Sequence, residues 1–293
     1  MTNEHSHDQL VALVAAPADP WTKEMSAELA ALGYLVASGT SFEEIISTSR
    51  KKTGEFAFVM VAPSVDDATY ARLAHTIKLS AGSGRLPILL GRKDLSSLTR
   101  PTTPQIMPDA TFSSVGSAAE LIRSEAGRWR EEARHGRHVV FRGPSDPDSV
   151  QRLRNMLEAF YHGAFDDERE GYRVLSAFRE AIDNAARHGN EEAPNKFLTV
   201  TLTQDEVRIS LDVKDEGPGF DFSDYIESGR TKDAVEKVRE HVGLGKAGGL
   251  GIRLMLECLD EVRFDDDGAR LTLVKLRAPD VGGEEDDADG DGV

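Results

Sequence analysis

The chain has 293 residues, 39% hydrophobic and 29% charged, enough for two domains and too apolar for a disordered protein. A formal net charge of −16 argues against long-range attraction to nucleic acid or to an anionic bilayer. The lone cysteine, Cys258, excludes an internal disulfide framework and a paired-cysteine zinc knuckle, and with no run approaching roughly 20 apolar residues a cytoplasmic, unanchored protein is expected.

In chain order, LVALVAA (10–16), FAFVMVA (56–62) and LPILL (86–90) are short apolar runs separated by helical patterns at 22–32 and 68–79. That alternation predicts β-α units around a parallel sheet. The stretch 117–134 opens on Ser117 as a cap and carries Ala118, Leu121, Ile122 and Trp129 at helical spacing, which predicts the last helix of a first domain spanning 8–134.

From His138 the pattern changes. A short strand, HVVF, precedes helices predicted over 147–162 and 171–188, and then come two strands that alternate. FLTVTLT sets Leu198, Val200 and Leu202 on one face, and VRISLDV does the same with Val207, Ile209, Leu211 and Val213. Segments 261–265 and 270–276 flank DDGA and predict a hairpin. Helices grouped with antiparallel strands mean an α+β domain over 137–278. The last residues, 279–293, hold seven acids and no base, so a disordered acidic tail is expected.

Three motifs in the second domain carry chemistry. FREAIDNAARHGN places Glu180, Asn184 and His188 four residues apart, on a stripe distinct from the apolar one of Leu175, Phe178, Ile182 and Ala186, and ends on Gly189 and Asn190. Packing does not force that polar stripe. KDEGPGFD follows the strand VRISLDV, so Asp215 sits beside Gly217 and Gly219, where backbone can approach a planar ligand and a carboxylate can accept a bond from an amino group. GLGKAGGLGIRLMLECLD sets Gly243, Gly245, Gly248, Gly249 and Gly251 ahead of an amphipathic helix, an arrangement suited to phosphates.

Taken together, E-x-x-x-N-A-x-x-H-G, D-x-G-x-G-F and G-G-L-G-I resemble the three nucleotide-binding boxes of the histidine-kinase-like ATPase superfamily, over about residues 137–278. Within it, EAIDNAARHGN and GGLGIRLMLECLDEVRF are most similar to the small anti-sigma-factor serine kinases. The resemblance implies an α+β sandwich of the Bergerat type, with ATP and Mg²⁺ bound. It implies Glu180 as general base, Asn184 as the Mg²⁺ ligand, and His188 beside the nucleotide. Asp215 would take the adenine amino group with Gly217 and Gly219 next to the base, and Gly248, Gly249 and Gly251 would present amides to the phosphates. The candidate for a basic phosphate contact is Lys246, with Arg230 and Lys232 behind it.

The expected partners are a STAS-type anti-sigma-factor antagonist, a sigma factor, and a second copy in a homodimer; nucleic acid and membrane are not expected. The expected activity is a serine/threonine-protein kinase in partner-switching signalling. The alternatives are a non-catalytic ATP-dependent binding module and, further out, a relative of the sensor histidine kinases. One departure bears on adenine: Gly268 is followed by Ala269 where the family often has Thr. The first domain resembles a response-regulator receiver, with a flavodoxin-like α/β fold. Its chemistry is missing, because VAAPADP supplies only Asp19, Ala62 and Pro63 stand at the phospho-accepting position, Ser114 and Val115 replace Lys-Pro, and Asp66 and Asp67 come too late. A pseudo-receiver with a regulatory role is expected.

Overall fold

Parallel strands flanked by helices must be apolar on both faces, and the runs of the first hundred residues meet that demand. The computed structural model describes residues 10–49, 51, 55–80, 84–92, 94–219, 249–265 and 268–277. In it β1 (Leu10–Val14), β2 (Leu35–Gly39), β3 (Phe56–Val61), β4 (Ile88–Gly91) and β6 (Ala110–Phe112) form an all-parallel sheet in the order β2-β1-β3-β4-β6. One face is covered by α1 (Pro20–Ala31) and α5 (Val115–His135) through Met25, Leu29, Ala118, Ile122 and Trp129. The other is covered by α2 (Phe42–Ser49) and α3 (Asp67–Leu79) through Phe42, Ile45, Tyr70, Leu73 and Ile77.

The cap of α5 is Ser114, bonded reciprocally with Ser117, so the helix starts earlier than the apolar spacing shows. Val115 and Gly116 form a first turn without the periodicity that marks the rest.

The second sheet is antiparallel across the residues that alternate. It comprises β7 (Gly136–Pro144), β8 (Phe197–Asp205), β9 (Arg208–Lys214), β10 (Glu261–Phe264) and β11 (Arg270–Leu276), with β10 and β11 forming the expected hairpin. Leu198, Val200, Leu202, Ile209, Leu211 and Val213 are buried and join one apolar cluster with residues of α6 (Pro147–Phe160), α7 (Glu168–Asn184) and α8 (Gly249–Cys258). Val207, expected on the inward face, precedes β9 and is exposed.

One strand crosses between the halves. β5 (Gln105–Ile106) lies in the first half by sequence, yet it pairs antiparallel with β7, Gln105 opposite Arg142 and Ile106 opposite Phe141. The Tyr70 hydroxyl donates to the Ile106 carbonyl at 3.0 Å, so α3 holds β5 in place. The apolar cluster beneath the antiparallel sheet therefore continues into the α2–α3 face of the parallel one. Between α5 and β7 no residue intervenes. Among the described residues no helix is long and apolar enough to cross a membrane.

Candidate functional site

The polar stripe begins on α7, whose apolar side is fixed by Val174, Ala177, Phe178, Ala181 and Ile182, all buried. Glu180 and Asn184 are left half-buried at its edge. Neither makes a hydrogen bond or ion pair to another described residue, whereas charged neighbours on the same helix are committed. Arg179 pairs with Glu158 at 2.7 Å, and Asp183 takes Arg154 Nε at 2.8 Å and Arg187 at 3.4 Å. A carboxylate and an amide one turn apart, without partners among the described residues, are available to a ligand.

After Asn184 the helix widens into a π turn over Ala185–Gly189, closed by the Asn190 amide on the Ala185 carbonyl at 2.9 Å. His188 falls within that turn and is exposed, whereas Glu180 and Asn184 are half-buried. Glu191 and Glu192 then adopt left-handed backbone (φ +57° and +54°), reversing the chain toward β8.

The reversal places Gly189 against the second motif. A Cβ at Gly189 would lie 2.3 Å from the Asp215 carboxyl carbon, and a Cβ at Gly217 would lie 2.0 Å from the Gly189 carbonyl oxygen. The end of α7 and the turn after β9 are thus in backbone contact, and no side chain fits between them. Gly219 is required for a different reason, its φ of +75°. Asp215 is buried; its Oδ1 accepts the Gly217 amide at 2.8 Å, and its backbone amide donates to Ala269 in β11's approach at 3.0 Å. Burial raises its pKa above the ordinary carboxylate value, opposed by the Gly217 amide and by Lys196.

The third motif meets the first. At Gly251, in the first turn of α8, a Cβ would lie 2.3 Å from Glu180 Oε1 and 2.5 Å from its Cγ. The glycine lets the helix come down onto the carboxylate, and α7 and α8 pack side by side. Gly249 begins α8. Lys246 and Gly248, like Arg230 and Lys232, lie outside the described residues.

Sequence reasoning missed the residues that hold these pieces. Asn190 is fully buried: its Nδ2 donates to Ser145 Oγ at 2.6 Å and to the Phe197 carbonyl at 3.0 Å, and its Oδ1 accepts the Glu216 amide at 2.8 Å. One side chain thereby joins the end of α7, the start of β8 and the Asp215 turn. Glu216 also reaches Arg142 at 2.6 Å and accepts the Phe197 amide at 3.1 Å. In the sequence Asn190 only closes the stretch FREAIDNAARHGN, with nothing to mark it as a buried link.

With this geometry the comparisons have a definite object. The model of the histidine kinase-like ATPase domain matches residues 143–275, a span that includes every described residue of the three motifs. The serine-protein kinase RsbW of Bacillus subtilis (strain 168) is 30% identical over 142 residues, covering 47% of this chain and 84% of that protein. The chain belongs to the histidine kinase-like ATPase family. Its ATPase half is also 29% identical to the RsbW of Bacillus licheniformis, over 47% of this chain and 85% of the relative. The anti-sigma F factor of Geobacillus stearothermophilus is 26% identical, over 49% of this chain and 92% of the relative. A solved SiaB–SiaC complex from Pseudomonas aeruginosa shares 17% identity over 54% of this chain and 99% of that one, with a TM-score of 0.37, too loose an overlap to argue from. β1 to β6, α1 to α3 and α5 lie outside the histidine kinase-like ATPase match.

Proposed function

We propose that the protein is an ATP-dependent serine/threonine-protein kinase that phosphorylates a STAS-type antagonist of an anti-sigma factor. The observation that carries this reading is the Glu180 carboxylate, set against Gly251 at the start of α8 and one turn from Asn184, both side chains without a partner among the described residues. The names of the relatives support it: two are serine-protein kinases and one is an anti-sigma factor.

Phosphoryl transfer asks mainly for positioning and charge neutralisation, so a short list of groups suffices. Asp215, desolvated and with Oδ1 already bonded, offers its other oxygen to the adenine amino group. Gly217 and Gly219 leave space beside the base, and Gly249 and Gly251 present helix N-terminal amides to the phosphates. Asn184 fits Mg²⁺, because its amide is half-buried with no side-chain bond to a described residue, and its hard carbonyl oxygen would complete a shell of phosphate oxygens and water that neutralises charge. Glu180 accepts the proton of the partner's serine hydroxyl. The serine oxygen bonds to the γ-phosphorus as the bond to the β–γ bridging oxygen breaks, leaving phosphoserine and ADP.

The first half reads as a pseudo-receiver. Its parallel order β2-β1-β3-β4-β6 supports this, being that of doubly wound receiver-like domains. Asp19 caps α1, bonding Trp21 N at 2.9 Å, and Ala62 follows β3. A docking or regulatory role fits those residues better than a phosphorylation switch.

The test is transfer of label from ATP to candidate STAS proteins. Wild type should label its partner and Glu180→Ala should not, with the loss reaching about a hundredfold or more for a general base. Capture of the partner by both forms without label would overturn the kinase and leave an ATP-dependent binding module.

A further inference from the structure

Arg142, on β7, belongs to none of the three motifs, yet it touches the adenine side of the proposed pocket and the N-terminal half at once. Its guanidinium uses three donors on three segments. Nε donates to the Thr99 carbonyl at 2.6 Å, Nη1 to Thr199 Oγ1 at 2.7 Å, and Nη2 to Glu216 Oε1 at 2.6 Å. Thr99 is the last residue of α4 (Ser96–Thr99), and Glu216 stands between Asp215 and Gly217. A second arginine repeats the link. Arg100 Nη2 donates to the Asn195 carbonyl at 2.9 Å, and the guanidinium groups of Arg100 and Arg142 lie 5.1 Å and 5.2 Å from the centre of the Phe197 ring. Phe197 in turn bonds both Asn190 and Glu216 through its backbone.

We infer that Arg142 is a positioning residue for nucleotide recognition, which fixes the Asp215 turn to the α4–β5 connection of the N-terminal half and so makes base recognition depend on that half. The inference rests on the reading of the Asp215 turn as the adenine site. Its physical basis is that the guanidinium bonds the Glu216 carboxylate and the Thr99 carbonyl together, whereas the bonds to Ala269, Asn190 and Phe197 tie the turn only to its own half. Without the guanidinium, Glu216 Oε2 keeps the Phe197 amide, but Oε1 no longer links the turn to α4. Lysine is no replacement, since one ammonium cannot reach three acceptors held in a planar fork. The same fork couples in both directions, so a shift of Thr99 and Arg100 moves the turn, and nucleotide binding pulls on α4.

The test uses the full chain and compares ATP with GTP by calorimetry or competition, because a base-positioning defect falls on the ratio while a general loss of fold does not. Arg142→Lys and Arg142→Met should each weaken ATP about tenfold and narrow the ATP-over-GTP preference. Arg100→Ala, which lies in the other half, should act in the same direction more weakly, and Glu216→Gln added to Arg142→Met should cost little more. Asp215→Asn is the reference. If it leaves ATP binding intact, the adenine reading itself falls. If it weakens ATP while the Arg142 variants bind like wild type, or lose ATP and GTP equally along with thermal stability, the positioning role is overturned and the adenine reading stands.

Discussion

Asp215, the proposed adenine acceptor, opposes stability at neutral pH. Burial holds its pKa above the ordinary value, so the folded state binds that proton more tightly than the unfolded chain does. Its contribution is complete below the unfolded carboxylate pKa and is lost as pH rises through the higher folded value. At neutral pH the ionised group therefore destabilises the empty protein, and a partner amino group would relieve it. Asp215→Asn keeps an acceptor for the Gly217 amide and removes the charge. It should raise the unfolding midpoint in denaturant at pH 7 while weakening ATP by at least about tenfold. A variant both less stable and equally able to bind would contradict the assignment. Asn190 is the opposite case, a group whose bonds are all made inside. Truncation to Ala leaves the Glu216 amide, the Phe197 carbonyl and the Ser145 hydroxyl without that partner, and should cost about 2–4 kcal/mol of unfolding free energy, measured by equilibrium denaturation.

The elements were recoverable from sequence in proportion to how local their causes are. The two-residue alternation of Leu198, Val200 and Leu202 located β8, because one face of an antiparallel strand must be apolar wherever it is buried. The π turn at Ala185–Gly189 escaped, since a change of helical step has no periodicity of its own over five residues. β5 escaped as well: two residues carry no pattern, and its pairing is decided by β7 and Tyr70. Asp183 reads in sequence as one more acid beside Asn184, and only the approach of α6 shows it as Arg154's partner. Between elements, the contact of Gly251 with Glu180 makes a further prediction. Gly251→Ala pushes on the Glu180 side chain from Cγ outward, so the overpacking should cost about 1–3 kcal/mol of folding free energy. The displaced Glu180 should slow phosphoryl transfer about tenfold or more. Unaltered transfer rates in single-turnover assays would show that the carboxylate needs no such seat.

For the molecule as a whole, the three motifs were readable because their residue types answer to a ligand, and ligand chemistry leaves short local signatures. What joins them was not readable, because Asn190, Glu216 and Arg142 act through partners far along the chain. The relation of the halves falls in the same class. Arg137, at the start of β7, is buried over the Phe160 ring at 4.3 Å with two guanidinium nitrogens unbonded, a cation whose surroundings belong to the junction alone. Residues 185–190, 215–219 and 249–252 are proposed to form one nucleotide pocket. Amide hydrogen exchange with and without ATP and Mg²⁺ tests it most directly. Saturating nucleotide should slow exchange in all three segments together, with the parallel sheet little changed. Exchange unaltered there at saturation, or slowed in one segment alone, would contradict it.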